Sequence, residues 1–213
     1  MKVTRIVKKD SKNVEVHFDN SEILILLLDV FLKSGLKKNG EVSDDRFSLL
    51  IKENRLFHIK QRALRYLGRR LHSSSELRIK LKQKRYENES IEDVVKELSD
   101  AGYLNDLNFA RVFTEEKAKT RYWSKNKIKA ELIKKRIGAE IITQVLDEGF
   151  NEDDEYKKAM MTAQKKIKTL KLKLDDEIEL KRKLISFLSM RGYSYDIAGK
   201  VCDELIAEAD HFA

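Results

Sequence analysis

Three stretches of this chain repeat one apolar pattern. Leu77, Leu81, Tyr86, Ile91, Val94 and Val95 recur 51 residues on as Ile128, Leu132, Ile137, Ile142, Val145 and Leu146. They return again as Leu184, Leu188, Tyr193, Ala198, Val201 and Cys202. A period of that length marks a repeat architecture. Within each copy the i, i+3, i+4 spacing predicts two amphipathic helices joined by a short link. A further helix precedes each pair. It is carried by Ala63, Leu64, Leu67 and Leu71, then by Phe109, Ala110 and Phe113, then by Tyr156, Ala159, Met160, Ala163 and Ile167. The expected fold is mainly α: three tandem three-helix repeats in an elongated array, at residues 58–103, 104–150 and 151–213. A small N-terminal β-hairpin plus helix region, residues 1–57, precedes them. A repeat of under ~60 residues has a marginal core of its own and gains from stacked neighbours.

Local signals punctuate this plan. Val3, Ile6 and Val7, the polar turn Asp10-Ser11-Lys12-Asn13, and the alternation Val14-Glu15-Val16-His17-Phe18 predict the hairpin. A third strand is a candidate from Ile23, changing to helix around Asp29 and stopping at Ser34-Gly35. Ser43 is a suitable N-cap for a helix opening with Asp44 and Asp45, with no strong stop before Gly68. Ser73-x-x-Glu76 reads as a capping box, and Ser90-x-x-Asp93 as a similar start for the next helix. Gly102 is expected to close one helix in a left-handed turn, and Asn105 or Asp106 to cap the next. The charged stretch between Ala163 and Lys183 reads as a solvated helical hairpin, or alternatively as a hinge.

Chemistry is hard to find. The four histidines, at 17, 58, 72 and 211, have no metal-ligand spacing. The acidic pairs Asp44-Asp45, Asp153-Asp154 and Asp175-Asp176 fall where helices begin, so capping explains them. The lone Cys202 lies on an apolar helix face and reads as a buried structural thiol. There is no nucleophile motif and no glycine-rich phosphate loop, so no enzyme activity, metal or cofactor is expected. Residues 23–32 are interrupted by Asp29 and too short to span a bilayer, and Met1 to Lys9 alternates like a strand. A cytoplasmic monomer with no membrane association is the expectation.

Charge is more informative. The formal net charge is +8, and residues 60–136 hold 21 Lys and Arg against 11 Asp and Glu. That excess suits an anionic partner. Arg62, Arg65, Arg69 and Arg70 are read as lying on one helix, close enough to repel unless a partner compensates them. Lys84, Lys135 and Arg191 share a repeat position at the end of the middle helix, extended by Arg85 and Arg136. Helix dipoles favour cations there, so the position is a candidate contact that also has a purely local explanation. Arg121, Trp123, Lys125 and Lys127 form a further group. Trp123 either covers the second core or serves as an interface anchor or base-stacking platform.

With these residues assembled, the chain resembles the RecX family of regulators of the RecA recombinase. The resemblance rests on Gly102-Tyr103-Leu104-Asn105-Asp106 leading to Phe109-Ala110, on Ser75-Glu76-Leu77 with Leu81 and Lys84, on Ile128-x-x-Glu131-Leu132-x-x-Lys135, and on Arg191-Gly192-Tyr193. It covers about residues 60–207. The family usually has glycine where Arg85 and Arg136 stand, and often where Ser124 stands, so those two helix ends are expected to close differently. The resemblance implies a non-enzymatic protein that lies in the groove of the RecA–DNA filament and restrains ATP turnover, filament growth and strand exchange. Single- or double-stranded DNA is a further implied partner.

Two other classes remain open on sequence. One is a direct DNA- or RNA-binding protein, since three-helix units also build nucleic-acid readers. The other is a helical scaffold without a nucleic-acid role.

Overall fold

The computed structural model describes residues 1–150, 154–172, 174 and 176–210. Asp153, Lys173, Asp175 and His211, which the sequence reading touched, lie outside that set. The chain divides into two compact units, residues 1–104 and 105–213.

The first unit opens with three antiparallel strands in the order β1-β2-β3, at Val3–Lys8, Asn13–Phe18 and Ile23–Leu27. The third strand is the candidate offered from Ile23, added to the expected hairpin. The apolar run after Glu22 alternates long enough to pair along β2 before turning into helix α1, Leu28–Ser34, which Gly35 closes at φ 72°. Strands this few need a cover, and α2 provides it. This 24-residue helix, Asp44–Leu67, starts where the Ser43 hydroxyl accepts from the Arg46 N–H. Its first half seals the sheet, with Phe47 edge-on to Phe18 at 5.2 Å over Val3, Val16 and Leu26. Asn54 binds the sheet edge, accepting from Leu27 N and donating to Ile25 O.

The second half of α2 belongs to the first three-helix domain, so the helix runs through the boundary expected at residue 58. Ile59 and Ala63 pack on α3, Ser74–Lys82, and α4, Asn88–Asp100, around Leu77, Leu81, Val94 and Leu98. The Ser73 hydroxyl accepts from Glu76 N as anticipated. Ser90 does not cap. The helix begins two residues earlier, at Asn88, and Ser90 is buried inside it, because its small side chain fits a core-facing position. Leu71 lies beyond the end of α2 and is exposed.

The second unit holds two trios. The first is α5, Asp106–Arg121, α6, Lys125–Lys134, and α7, Ala139–Gly149. The other is α8, Asp154–Lys171, α9, Glu177–Met190, and α10, Tyr195–Asp210. Asn105 caps α5 through Asn108 N, as predicted. Phe109, Ile128, Leu132 and Val145 build the first core, and Ala163, Leu184, Leu188 and Val201 the second. Cys202 is fully buried there, its thiol pushed up to about 11 by burial. In the two later helices of each copy every predicted apolar repeat position is buried except Tyr86, which is half-buried; in the preceding helices Leu64, Leu67, Phe113, Tyr156 and Met160 are half-buried as well.

Helix ends at the repeat position after Lys84, Lys135 and Arg191 overturn one expectation. Arg85 and Arg136 sit at φ 62° and 55°, in the same left-handed turn that Gly192 makes at φ 90°. The turn closes alike in all three repeats because it returns amide hydrogen bonds to the middle helix, as in Arg136 N to Ile133 O at 2.8 Å. Two arginines therefore carry the strain of left-handed backbone, roughly 1 kcal/mol each. Arg136→Gly is expected to raise the unfolding free energy by a few tenths to about 1 kcal/mol. A urea midpoint that falls instead would show that the arginine side chain contributes more than its backbone costs.

Candidate partner-binding surface

The basic residues separate into packed and open sets. Lys135 folds inward, its Nζ 5.6 and 5.3 Å from the ring centres of Phe109 and Phe113. Arg191 stacks 3.6 Å over Phe187, and burial lowers its pKa. Aromatic faces attract cations and cover their stems. Two of the three cations at the shared repeat position are thus cemented into their own domain. Lys84, the third, is exposed.

The arginines near the end of α2 do not form one helical row. Only Arg62 and Arg65 are on the helix, since α2 stops at Leu67. Arg69 and Arg70 follow it, and Arg70 is compensated within the chain by Glu76 at 2.9 Å. Arg62 is half-buried beside Tyr86 and Tyr66, which raise its pKa, Tyr86 the more. Its Nε has no hydrogen-bond partner. Arg65 is exposed and touches only the Gln61 carbonyl, at 3.4 Å.

In the second unit Trp123 is half-buried. It packs edge-on to Phe113 at 6.2 Å, with Lys117 and Lys127 over its ring at 5.9 and 5.7 Å. Lys127 also pairs with Glu131 at 3.6 Å, and Lys125 with Asp147 at 3.1 Å. Arg121 and Arg136 are exposed.

Arg69, Lys84 and Arg85 in the first unit, and Arg121 and Arg136 in the second, are exposed and form no ion pair with a described residue. Arg65 is exposed and unpaired as well, so the open cations of the predicted set number six. Sequence reading missed the inward turn of Lys135 and Arg191. The one available signal was an aromatic residue four positions before Arg191 on the same helix, Phe187.

No group of three or more metal-ligating side chains occurs among the described residues, and no described helix is long and apolar enough to cross a membrane.

Three domain models of one family match in order. "RecX, first three-helix domain" covers residues 60–98, the second three-helix domain residues 105–146, and the third residues 152–202. The regulatory protein RecX of Clostridium acetobutylicum is 31% identical over 94% of this chain and 94% of its own. That of Finegoldia magna is 30% identical over 91% and 93%. A crystal structure of a regulatory protein RecX superposes with a TM-score of 0.71 over 95% of this chain and 98% of the other, at 19% identity. That of RecX from Lactobacillus salivarius gives 0.59 over 73% and 99%, at 24% identity. At these identities the two structures bear on the fold alone.

Proposed function

The chain belongs to the RecX family of regulatory proteins, and from that premise we propose that it is a non-enzymatic, cytoplasmic regulator of the RecA recombinase. It binds the RecA–DNA filament and holds back ATP turnover, filament extension and strand exchange. The observation that carries this reading is the set of open cations, Arg65, Arg69, Lys84, Arg85, Arg121 and Arg136, which have no carboxylate partner among the described residues. Arginine in particular makes paired hydrogen bonds to carboxylate or phosphate, and both are expected on a nucleoprotein filament. Small helical domains gripping adjacent subunits would oppose the rearrangement that hydrolysis requires.

The test is a pull-down on RecA filaments together with RecA ATPase and strand-exchange assays. The full chain at stoichiometric concentration is expected to slow both reactions. Reversing Arg69, Arg85, Arg121 and Arg136 to glutamate together is expected to weaken filament binding by roughly tenfold or more, since each lost charge-assisted contact is worth a large fraction of that. Unchanged ATPase and strand exchange with the parent protein would refute the reading.

Trp123, with two lysines over its ring, favours a second reading, direct binding of nucleic acid by base stacking. Tight binding to naked DNA that weakens steeply with salt would support it over the first.

A further inference from the structure

Arg62, half-buried, and Arg65, exposed, open onto one recess. They line a cleft of 650 Å³ in the first unit, bounded by the β1–β2 turn, the start of α1 and the C-terminal half of α2. Lys12 enters from the turn, and His58, Arg62 and Arg65 from one face of α2 at i, i+4, i+7 spacing. Leu27 and Phe57 supply an apolar wall.

We propose that this cleft binds a small molecule bearing a phosphate monoester, with the phosphate on Lys12, Arg62 and Arg65 and the organic part against Phe57 and Leu27. Three basic side chains face a single lining carboxylate, Asp29. None of the three forms an ion pair with a described residue. A phosphate monoester of charge about −2 would neutralise that excess. The Nε of Arg62 is shut away from solvent without an acceptor, a state that folded proteins rarely leave unmet. Guanidinium groups present paired donors suited to phosphate oxygens. The positive field is felt at His58, which is held below its usual pKa by burial and then by the charges of Arg62 and Arg65. The cleft's volume falls within the range of small-molecule sites, roughly 300–1,000 Å³.

Filament binding is not needed for this inference, and its test involves neither RecA nor DNA filaments. Calorimetric titration of the full chain would use adenosine monophosphate, inorganic phosphate, adenosine, and dithymidine monophosphate as a phosphodiester. Adenosine monophosphate is expected to bind at least roughly tenfold more tightly than adenosine or the phosphodiester. Lys12→Gln and Arg65→Gln, both at exposed side chains, are each expected to weaken it severalfold with unchanged circular dichroism. Arg69→Gln, outside the cleft lining, is expected to leave it unaltered. Arg62→Gln is the less clean variant, because its side chain also packs on Tyr66 and Tyr86.

Absence of binding by both adenosine monophosphate and inorganic phosphate at about 5 mM would overturn the proposal, because that far exceeds a useful dissociation constant. Equal affinity for adenosine, or unchanged affinity in Lys12→Gln and Arg65→Gln, would also overturn it. Equal affinity for the phosphodiester would reassign the cleft to a nucleic-acid backbone and overturn it as well.

Discussion

Gly192→Ala is expected to lower the unfolding free energy of the second unit by roughly 2–4 kcal/mol, summing left-handed backbone strain and overpacking. At φ 90° the glycine sits in a region that side chains disfavour. A Cβ there would lie 2.5 Å from Lys127 Cβ, 2.6 Å from Ser124 Oγ and 2.8 Å from Lys127 N. The last of these is backbone in the first turn of α6 and cannot swing aside. Ser124 is fixed at both ends, its hydroxyl accepting from Lys127 N and its own N–H donating to Arg191 O at 2.9 Å. Alongside, the Tyr193 hydroxyl donates to Tyr122 O at 3.1 Å. These bonds join the two trios of the second unit, so the added methyl forces open a domain junction as well as a turn. Gly102→Ala provides the comparison. It has φ 76° but nothing within 4 Å of the new Cβ, so only the strain of roughly 1 kcal/mol is expected. Equal losses in the two variants, by urea denaturation followed by far-ultraviolet circular dichroism, would refute the crowding argument.

The same junction explains what sequence reading could reach. The apolar register, the caps at Ser43, Ser73 and Asn105 and the closure at Gly102 are local, decided by spacing and by backbone preferences within a turn or two. They were legible, and so was membership of the family. Arg85 and Arg136 misled because left-handed propensity is a weak local term, overridden by the hydrogen bonds that a closed helix end secures. Ser90 misled for a related reason. A serine can cap a helix or fill a tight core position, and burial chose the second.

The surface was less legible still. Lys135 and Arg191 share a repeat position with Lys84, yet Lys135 and Arg191 lie on aromatic rings while Lys84 is open. For Lys135 that difference depends on which helices meet, as it does for Arg62 beside Tyr86, whereas the ring under Arg191 lies on its own helix. The cleft pairs Lys12 with residues some 50 positions away, beyond the reach of periodicity.

Leu132→Ala tests whether the cores are separate in energy as well as in space. Leu132 is fully buried in the last turn of α6, among Phe109, Ile128, Ile142 and Val145. Removing its side chain is expected to cost roughly 2–5 kcal/mol, the lost transfer free energy plus the cavity left behind. In a domain this small that is a large share of the whole stability. The single tryptophan, Trp123, packs against this core and no other, so its fluorescence reports on the second domain alone. Because the first unit has its own core around Ile59, Leu77, Leu81 and Leu98, the tryptophan transition should move to lower urea while part of the circular dichroism signal unfolds near the parent midpoint. A single transition shifted equally by both probes would mean that the two units unfold as one cooperative block. The third domain is tied to the second through Ser124 and Arg191, so its helices are expected to melt with the tryptophan signal.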